Sequence, residues 1–364
     1  MRKLLIILSV VSISAGLTAC GRSSKPAPYP AAAELADLGY GQYLGSAPPN
    51  ATEVDGEWTH LSFDPDAEGP ICLTGKPFQV SFRQGPSDEV LVFQQGGGAC
   101  WDDYTCNVAQ TATTTAGGPP NVGILALDNP ENPFRDFDVV YIPYCDGSVF
   151  IGDTTIDYNG TITYHHGLQN LSAGISALVE QFPNPSRVVV SGSSAGGYGT
   201  YAGYGVLRVA LPSTEIIIFN DSGPGVQNKD ASQDVQDRLS NWDFDRLVPD
   251  SCVLCEDQFS FLTHWAMERD KDLRTALYAY QEDGVLRFFL DLSGPEFQNL
   301  LLTTTGELKD LTGDRVARYF PQGSEHTVLM SNFMYEQSID GASLLGWIEA
   351  FLADDTAVWR DVIE

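Results

Sequence analysis

Three valines, Val188, Val189 and Val190, run into Ser191-Gly192-Ser193-Ser194-Ala195-Gly196-Gly197 and then into an apolar segment of helical length. A β-branched strand that ends in G-x-S-x-G and continues as a helix calls for a sharp strand-to-helix turn. The strand and the helix approach so closely there that a Cβ at Gly192 or Gly196 would collide, so both must be glycine. Ser194 sits at the apex with its Oγ exposed, as a nucleophile would be. The amide of Ala195 opens the helix and can donate to an oxyanion. Ser193 is the rival nucleophile, but it falls off the register of the motif.

The rest of the chain repeats this alternation. Short apolar, β-branched runs at 78–82, 90–93, 139–142, 188–190, 216–219, 276–280 and 316–320 read as buried strands. Helix-length segments lie between several of them, including 168–182, where Leu171, Ile175, Leu178, Val179 and Phe182 share one face, and 197–211. The expectation is an α/β fold, a mostly parallel sheet with helices on both faces. From Pro224 to about Arg274 the pattern breaks into polar, Asp-rich sequence carrying Trp242, Phe244, Phe259, Phe261 and Trp265. This stretch reads as a cap-like insertion, a lid over the nucleophile, within one domain covering residues 34–364. The chain has 48 acidic against 20 basic residues, a formal charge of −28. That balance argues against a phosphate-tracking nucleic-acid surface.

The N-terminus has a different purpose. Arg2 and Lys3 precede an apolar run from Leu4 to Leu17, too short to span a bilayer and suited to a signal-peptide core. Leu17-Thr18-Ala19-Cys20 resembles a bacterial lipobox, so residues 1–19 are expected to be removed and Cys20 to receive a lipid. Residues 20–33, with Pro26, Pro28 and Pro30, read as a flexible tether. The chain is thus expected on the bacterial cell envelope, lipid-anchored, facing the periplasm or the exterior. Six cysteines remain, an even number in an exported chain. Cys100 pairs with Cys106 on one loop and Cys252 with Cys255 as a local bridge, leaving Cys72 for Cys145. Zinc at Cys252-x-x-Cys255 would need two more ligands, and His264 has no partner at a recognisable spacing. No metal site is expected.

A serine nucleophile needs a base. His326 lies in the loop after the 316–320 strand, where the base of a strand-turn-helix nucleophile belongs. His165 and His166 precede the nucleophile, His60 lies near the start and His264 sits in the insertion. Asp283, after the 276–280 run, is the expected acid. Glu282 beside it and Asp221, at the end of the 216–219 run, compete for the role. The chain order Ser194, Asp283, His326 is that of an α/β-hydrolase. Gln94-Gln95-Gly96-Gly97-Gly98 follows the 90–93 strand, where the amides of Gly96 and Gly97 can join that of Ala195 in an oxyanion hole.

Several stretches together resemble the pectin acetylesterase family, which includes Notum. They are Gly96-Gly97-Gly98-Ala99-Cys100 with Cys106, Asn132-Pro133-Phe134, Tyr144-Cys145-Asp146-Gly147-Ser148-Val149-Phe150-Ile151-Gly152-Asp153, and Gly192-Ser193-Ser194-Ala195-Gly196-Gly197. Gln95 and Ala99 depart from the plant pattern, which has Glu and Trp there, and both lie beside the expected acyl pocket. The resemblance implies a serine carboxylic-ester hydrolase without metal or organic cofactor. Such an enzyme would remove an acetyl or short acyl group from a small-molecule or glycan ester. The alternatives are a lipid O-deacylase or thioesterase, and a catalytically silent envelope binding protein.

Overall fold

The computed structural model describes residues 27–65, 68–233 and 237–364. The expected signal peptide, the lipidation site Cys20 and most of the tether lie outside the described residues.

The strands are β1 (Ala51–Asp55), β2 (Trp58–Phe63), β3 (Phe78–Arg83), β4 (Glu89–Gln94), β5 (Asp138–Ile142), β6 (Thr154–Tyr158), β7 (Thr161–His165), β8 (Arg187–Ser193), β9 (Glu215–Asp221), β10 (Thr275–Tyr278), β11 (Val316–Phe320), β12 (Ser338–Ile339), β13 (Ala342–Ser343) and β14 (Val362–Ile363). The helices used below are α1 (Ala31–Asp37), α2 (Gly167–Gln181), α3 (Ala195–Ala210), α4 (Leu262–Arg269), α5 (Gly284–Leu290), α6 (Gly294–Thr312) and α7 (Leu344–Leu352).

Ten strands form one sheet in the order β1-β2-β3-β5-β4-β8-β9-β10-β11-β14. The pairs from β1 to β5 are antiparallel, and every pair from β5 onward is parallel. This is the expected α/β-hydrolase arrangement. The central strands are apolar at consecutive positions because both faces are covered. Val90, Val92, Val188, Val190, Ile216 and Ile218 enter the core beneath α1, α2 and α3. Leu91, Phe93, Val189, Ile217 and Phe219 enter the opposite one, closed by α7.

Two features adjust the expected organisation. The chain joins the fold before residue 34: the Tyr29 amide donates to the Pro212 carbonyl oxygen at 2.8 Å, the Arg208 guanidinium lies 4.3 Å from the Tyr29 ring centroid, and Ala31 and Leu35 are buried. Residues 29–33 of the expected tether thus pack against the fold. Residues 224–274 in turn contribute Trp242, Phe244, Phe259, Phe261 and Trp265 to the same apolar cluster as α2 and α3.

The three disulfides join Cys72 to Cys145, Cys100 to Cys106 and Cys252 to Cys255. The first closes a 73-residue loop, a constraint on the unfolded chain of about 4 kcal/mol. It also clamps a strained segment. Val149 and Phe150 have φ of 49° and 65°, values that a β-branched or bulky residue adopts only when its surroundings impose them. The surroundings here include Asp146, whose Oδ1 accepts from the Ser148 amide and hydroxyl and from the Phe150 amide at 2.8–3.3 Å. The His165 Nδ1 bonds the Asp146 carbonyl oxygen at 3.1 Å.

Burial lifts the Asp146 carboxyl from 3.8 to about 6 and depresses the His165 imidazole from 6.5 to about 4. The raised acid contributes stability at low pH that is lost as pH rises from 3.8 to about 6. The depressed base contributes stability above 6.5 that is lost as pH falls toward 4. The two oppose each other across one window. Asp146→Asn keeps the Oδ1 acceptor and removes only the first contribution. Urea unfolding from pH 4 to 6.5 should then show the variant losing stability with acidification more steeply than the wild type; equal slopes would mean that the native carboxyl is ionised throughout.

Candidate active site

Ser194 links β8 to α3 with φ 59° and ψ −120°, a conformation held by its neighbours. A Cβ on Gly192 would lie 2.3 Å from the Gly196 carbonyl oxygen, and one on Gly196 would lie 1.9 Å from that of Gln94. The Ser194 amide donates to the Asp221 carbonyl oxygen at 2.8 Å. Ser193 points the other way: it is 1% exposed, and its hydroxyl donates to Asp221 Oδ2 at 2.7 Å. Of the two serines, only Ser194 combines the turn's apex with cavity exposure on both sides.

The glycine loop lies against this turn. A Cβ on Gly96 would come within 2.8 Å of Ser194 Cβ. Both ends of the loop are pinned, through Gln95 N to the Ile142 carbonyl oxygen at 3.0 Å and Cys100 N to that of Gly147 at 2.9 Å. Among the described residues, the amides of Gly96, Gly97 and Ala195 are committed to no hydrogen bond, the condition an oxyanion hole requires.

His326 stands in the loop after β11. Its Nδ1 lies 2.7 Å from Asp283 Oδ2 and 2.9 Å from Oδ1. The Asp283 carboxylate is fully buried and caps α5, accepting the Val285 and Leu286 amides at 3.0 and 2.9 Å. This network fixes the carboxylate and with it the imidazole tautomer, Nδ1–H toward Asp283. His326 Nε2 has no partner among the described residues.

Of the competing acids, Glu282 lies 4.0 Å from Arg287 and makes no bond to the histidine. Asp221 supports the site from behind. Its carboxylate accepts the Val328 and Leu329 amides at 2.9–3.2 Å as well as the Ser193 hydroxyl, which ties the loop bearing His326 to the serine turn. Burial raises its pKa, and these bonds oppose the shift. The remaining histidines are occupied elsewhere: His60 with Ser81, His165 with Asp146, His166 with Gly69 and Thr155, and His264 beside Glu268.

Two cavities meet at Ser194. One is lined by Gly96, Gly97, Gly98, His326, Thr327 and Met330. The other is apolar, about 80 Å³, with walls from Trp101, Val149, Ile151, Tyr198, Leu286, Phe289 and Leu290. Val226, Leu239, Trp242 and Phe259 of the insertion complete it. Trp242 is held there by its indole N–H, which donates to the Cys100 carbonyl oxygen at 3.0 Å. Phe244, Phe261 and Trp265 do not reach the cavity and pack in the core behind it. Arg238 also lines this cavity and was not singled out in the sequence.

The family profile described as Pectinacetylesterase matches residues 52–251. Pectin acetylesterase 11 of Arabidopsis thaliana is 28% identical over 177 residues, covering 45% of this chain and 45% of that protein. The palmitoleoyl-protein carboxylesterase Notum of Schmidtea mediterranea is 31% identical over 123 residues, 31% of this chain and 23% of its own. Its counterpart notum1' of Xenopus laevis is 24% identical over 172 residues, 43% and 35% of the two chains. The matches span less than half of these curated relatives. The profile match includes Ser194 and the glycine loop and ends before Asp283 and His326.

The division between the two acids can be measured. Asp283→Asn should lower kcat on a chromogenic ester by about 10⁴-fold through the wrong imidazole tautomer. Asp221→Asn should chiefly lower Tm, because its carboxylate bonds are structural. The reverse pattern would reassign the acid.

Proposed function

The chain belongs to the pectinacetylesterase family, and on that premise we propose that it is a serine carboxylic-ester hydrolase that removes an acetyl or short acyl group, with a glycan as a candidate alcohol. One observation carries this reading: Asp283 fixes His326 through Nδ1, while the unpartnered Nε2 borders the cavity shared by Ser194 and the glycine amides. In the proposed reaction Ser194 Oγ attacks the ester carbonyl and His326 Nε2 takes its proton. The oxygen charge is received by the amides of Gly96, Gly97 and Ala195. His326 then protonates the leaving alcohol, and water, activated by the same imidazole, clears the acyl-enzyme.

The assignment of sides follows from the proton path. Of the two cavities at Ser194, His326 lines the one with the glycine loop, so the leaving alcohol belongs there and the acyl group in the apolar cavity. At about 80 Å³ the latter is smaller than the roughly 150 Å³ that holds benzene in an engineered apolar cavity. That favours short acyl groups over the palmitoleoyl group in the names of the Notum relatives, and over a lipid O-deacylase. The formal charge of −28 also disfavours a polyanionic pectin as the alcohol. The same reading has the enzyme tethered to the bacterial envelope by a lipid on Cys20, supported by the lipobox-like Leu17–Cys20 sequence.

Fluorophosphonate labelling tests the chemistry. The wild type should be labelled and Ser194→Ala should not; a folded wild-type protein that resists labelling would favour a silent binding protein. Across p-nitrophenyl esters of rising chain length, kcat/KM should peak at short acyl groups. Trp242→Ala, which opens the wall formed by the insertion, should move the optimum to longer chains. An unmoved optimum would show that the insertion does not set acyl length.

A further inference from the structure

Acidic residues outnumber basic ones 48 to 20 in this chain, and its inward-facing arginines find them readily. Arg208 pairs with Asp270, Arg187 with Glu89, Arg274 with Glu215, Arg246 with Asp153 and Arg318 with Asp361. Arg315 instead donates to the Met267 and Asp270 carbonyl oxygens and lines neither cavity at Ser194; Arg238 also lacks an acidic partner among the described residues but does line one. Its Nη1 donates to the Phe289 carbonyl oxygen at 3.0 Å, and among the described residues no carboxylate lies within ion-pair distance. Its guanidinium offers five N–H donors, and one is used.

The location makes this informative. Arg238 lines the apolar cavity together with Ser194 and Ala195, on the side of the serine away from His326. The surrounding walls are Trp101, Trp242, Phe289 and Leu290. Arg238 is partly buried, and a charge against such walls is costly unless something pairs with it; burial depresses the guanidinium pKa, and the Tyr198 phenol alone opposes that shift. A cation with no acidic partner among the described residues, lining the same cavity as Ser194 in a protein with an excess of acids, points to a partner that arrives with the substrate.

The proton path says which part of the substrate brings it. The leaving alcohol must sit by His326, so the group that meets Arg238 is the far end of the acyl chain. We propose that the acyl subsite selects half-esters of short dicarboxylic acids, of the succinyl type, with Arg238 as the specificity-determining residue that receives the distal carboxylate. This rests on the ester-hydrolase reading above and narrows its acyl group. The two methylenes of a succinyl chain fill the aromatic walls, and the carboxylate reaches the planar guanidinium fork, whose geometry matches it. The reaction balances without a co-reactant. The Ser194 Oγ to acyl carbon bond forms as the ester C–O bond breaks, and the Oγ proton passes through His326 to the alcohol. Water then breaks the acyl-enzyme and restores the Oγ proton. The products are the alcohol and the dicarboxylate, whose distal carboxylate stays intact throughout.

Monoethyl succinate and ethyl butyrate are close in length and differ in the terminal charge. Following both on the full chain, with alcohol release as the readout, should give a wild-type kcat/KM ratio favouring the succinate by at least about tenfold, falling as salt screens the pair. Arg238→Met should reduce that ratio by about tenfold or more, chiefly through KM for the succinate, and Arg238→Lys should retain part of it. Free succinate should inhibit butyrate hydrolysis competitively in the wild type and much less in Arg238→Met. Hydrolysis of butyrate without preference for the succinate, or an Arg238→Met variant that slows both esters equally, would overturn this inference and leave the hydrolase reading intact. Failure to turn over either ester, together with no fluorophosphonate labelling of Ser194, would overturn both.

Discussion

The carbonyl oxygen of Gln94, at the end of β4, lies where a Cβ on Gly196 would be only 1.9 Å away. That approach sets the spacing of the whole site. Parallel pairing aligns Gln94 with Gly192 across β4 and β8, so the last residue of one strand touches both glycines of the turn that ends the other. The next residues along the chain from Gln94 are the glycine loop, which is thereby delivered against Ser194. A larger residue at 192 or 196 would have to displace main chain rather than a flexible side chain, and the amides of the glycine loop would move with it. Glycine here is a constraint on distance as much as on φ.

A second dependence runs through two carboxylates at the same end of neighbouring strands. Asp221 ends β9 and Asp283 follows β10, and each is fully buried. Asp221 divides its bonds between the serine turn and the amides after His326, so it ties Ser194 and His326 together without bonding either side chain. Asp283 divides its bonds between two amides of α5 and the imidazole. Each buried carboxyl group is satisfied by several donors, which makes its burial tolerable and at the same time holds it rigidly.

These two acids also show where sequence reading stops. Both follow an apolar run, and both satisfy the chain order, so nothing local separates them; the distinction comes from which strand end faces the loop after β11. The seven central strands were legible because burial on both faces demands continuous apolar runs. Strand β1, exposed at every position, and β14, only two residues long, leave no such signal. The entry of the chain at Tyr29 was hidden by its Pro- and Ala-rich surroundings, since its anchors, Pro212 and Arg208, are distant in sequence. Ser194 was legible because its turn dictates residue types on both sides. Arg238 was not, because what distinguishes it is the lack of a partner, and that is a property of three-dimensional neighbours.

The insertion and the oxyanion loop form one mechanical unit. Trp242 and Asn241 donate to the carbonyl oxygens of Cys100 and Trp101, on the chain leaving the glycine loop, and the Cys100–Cys106 disulfide closes that same loop. Arg238 belongs to the helical turn Arg238–Asn241 just before Trp242, and its bond to the Phe289 carbonyl oxygen ties that turn to α5, the helix capped by Asp283. The acyl pocket is thus braced against both halves of the proposed catalytic machinery. A change that reshapes the pocket by shifting this backbone would also shift the oxyanion amides or the acid, whereas a side-chain exchange at Arg238 or Trp242 can alter the pocket with the backbone in place. In the proposed reaction, acyl preference would therefore be set by side chains of the insertion, and large rearrangement of its backbone is opposed by the bonds to Cys100, Trp101 and Phe289.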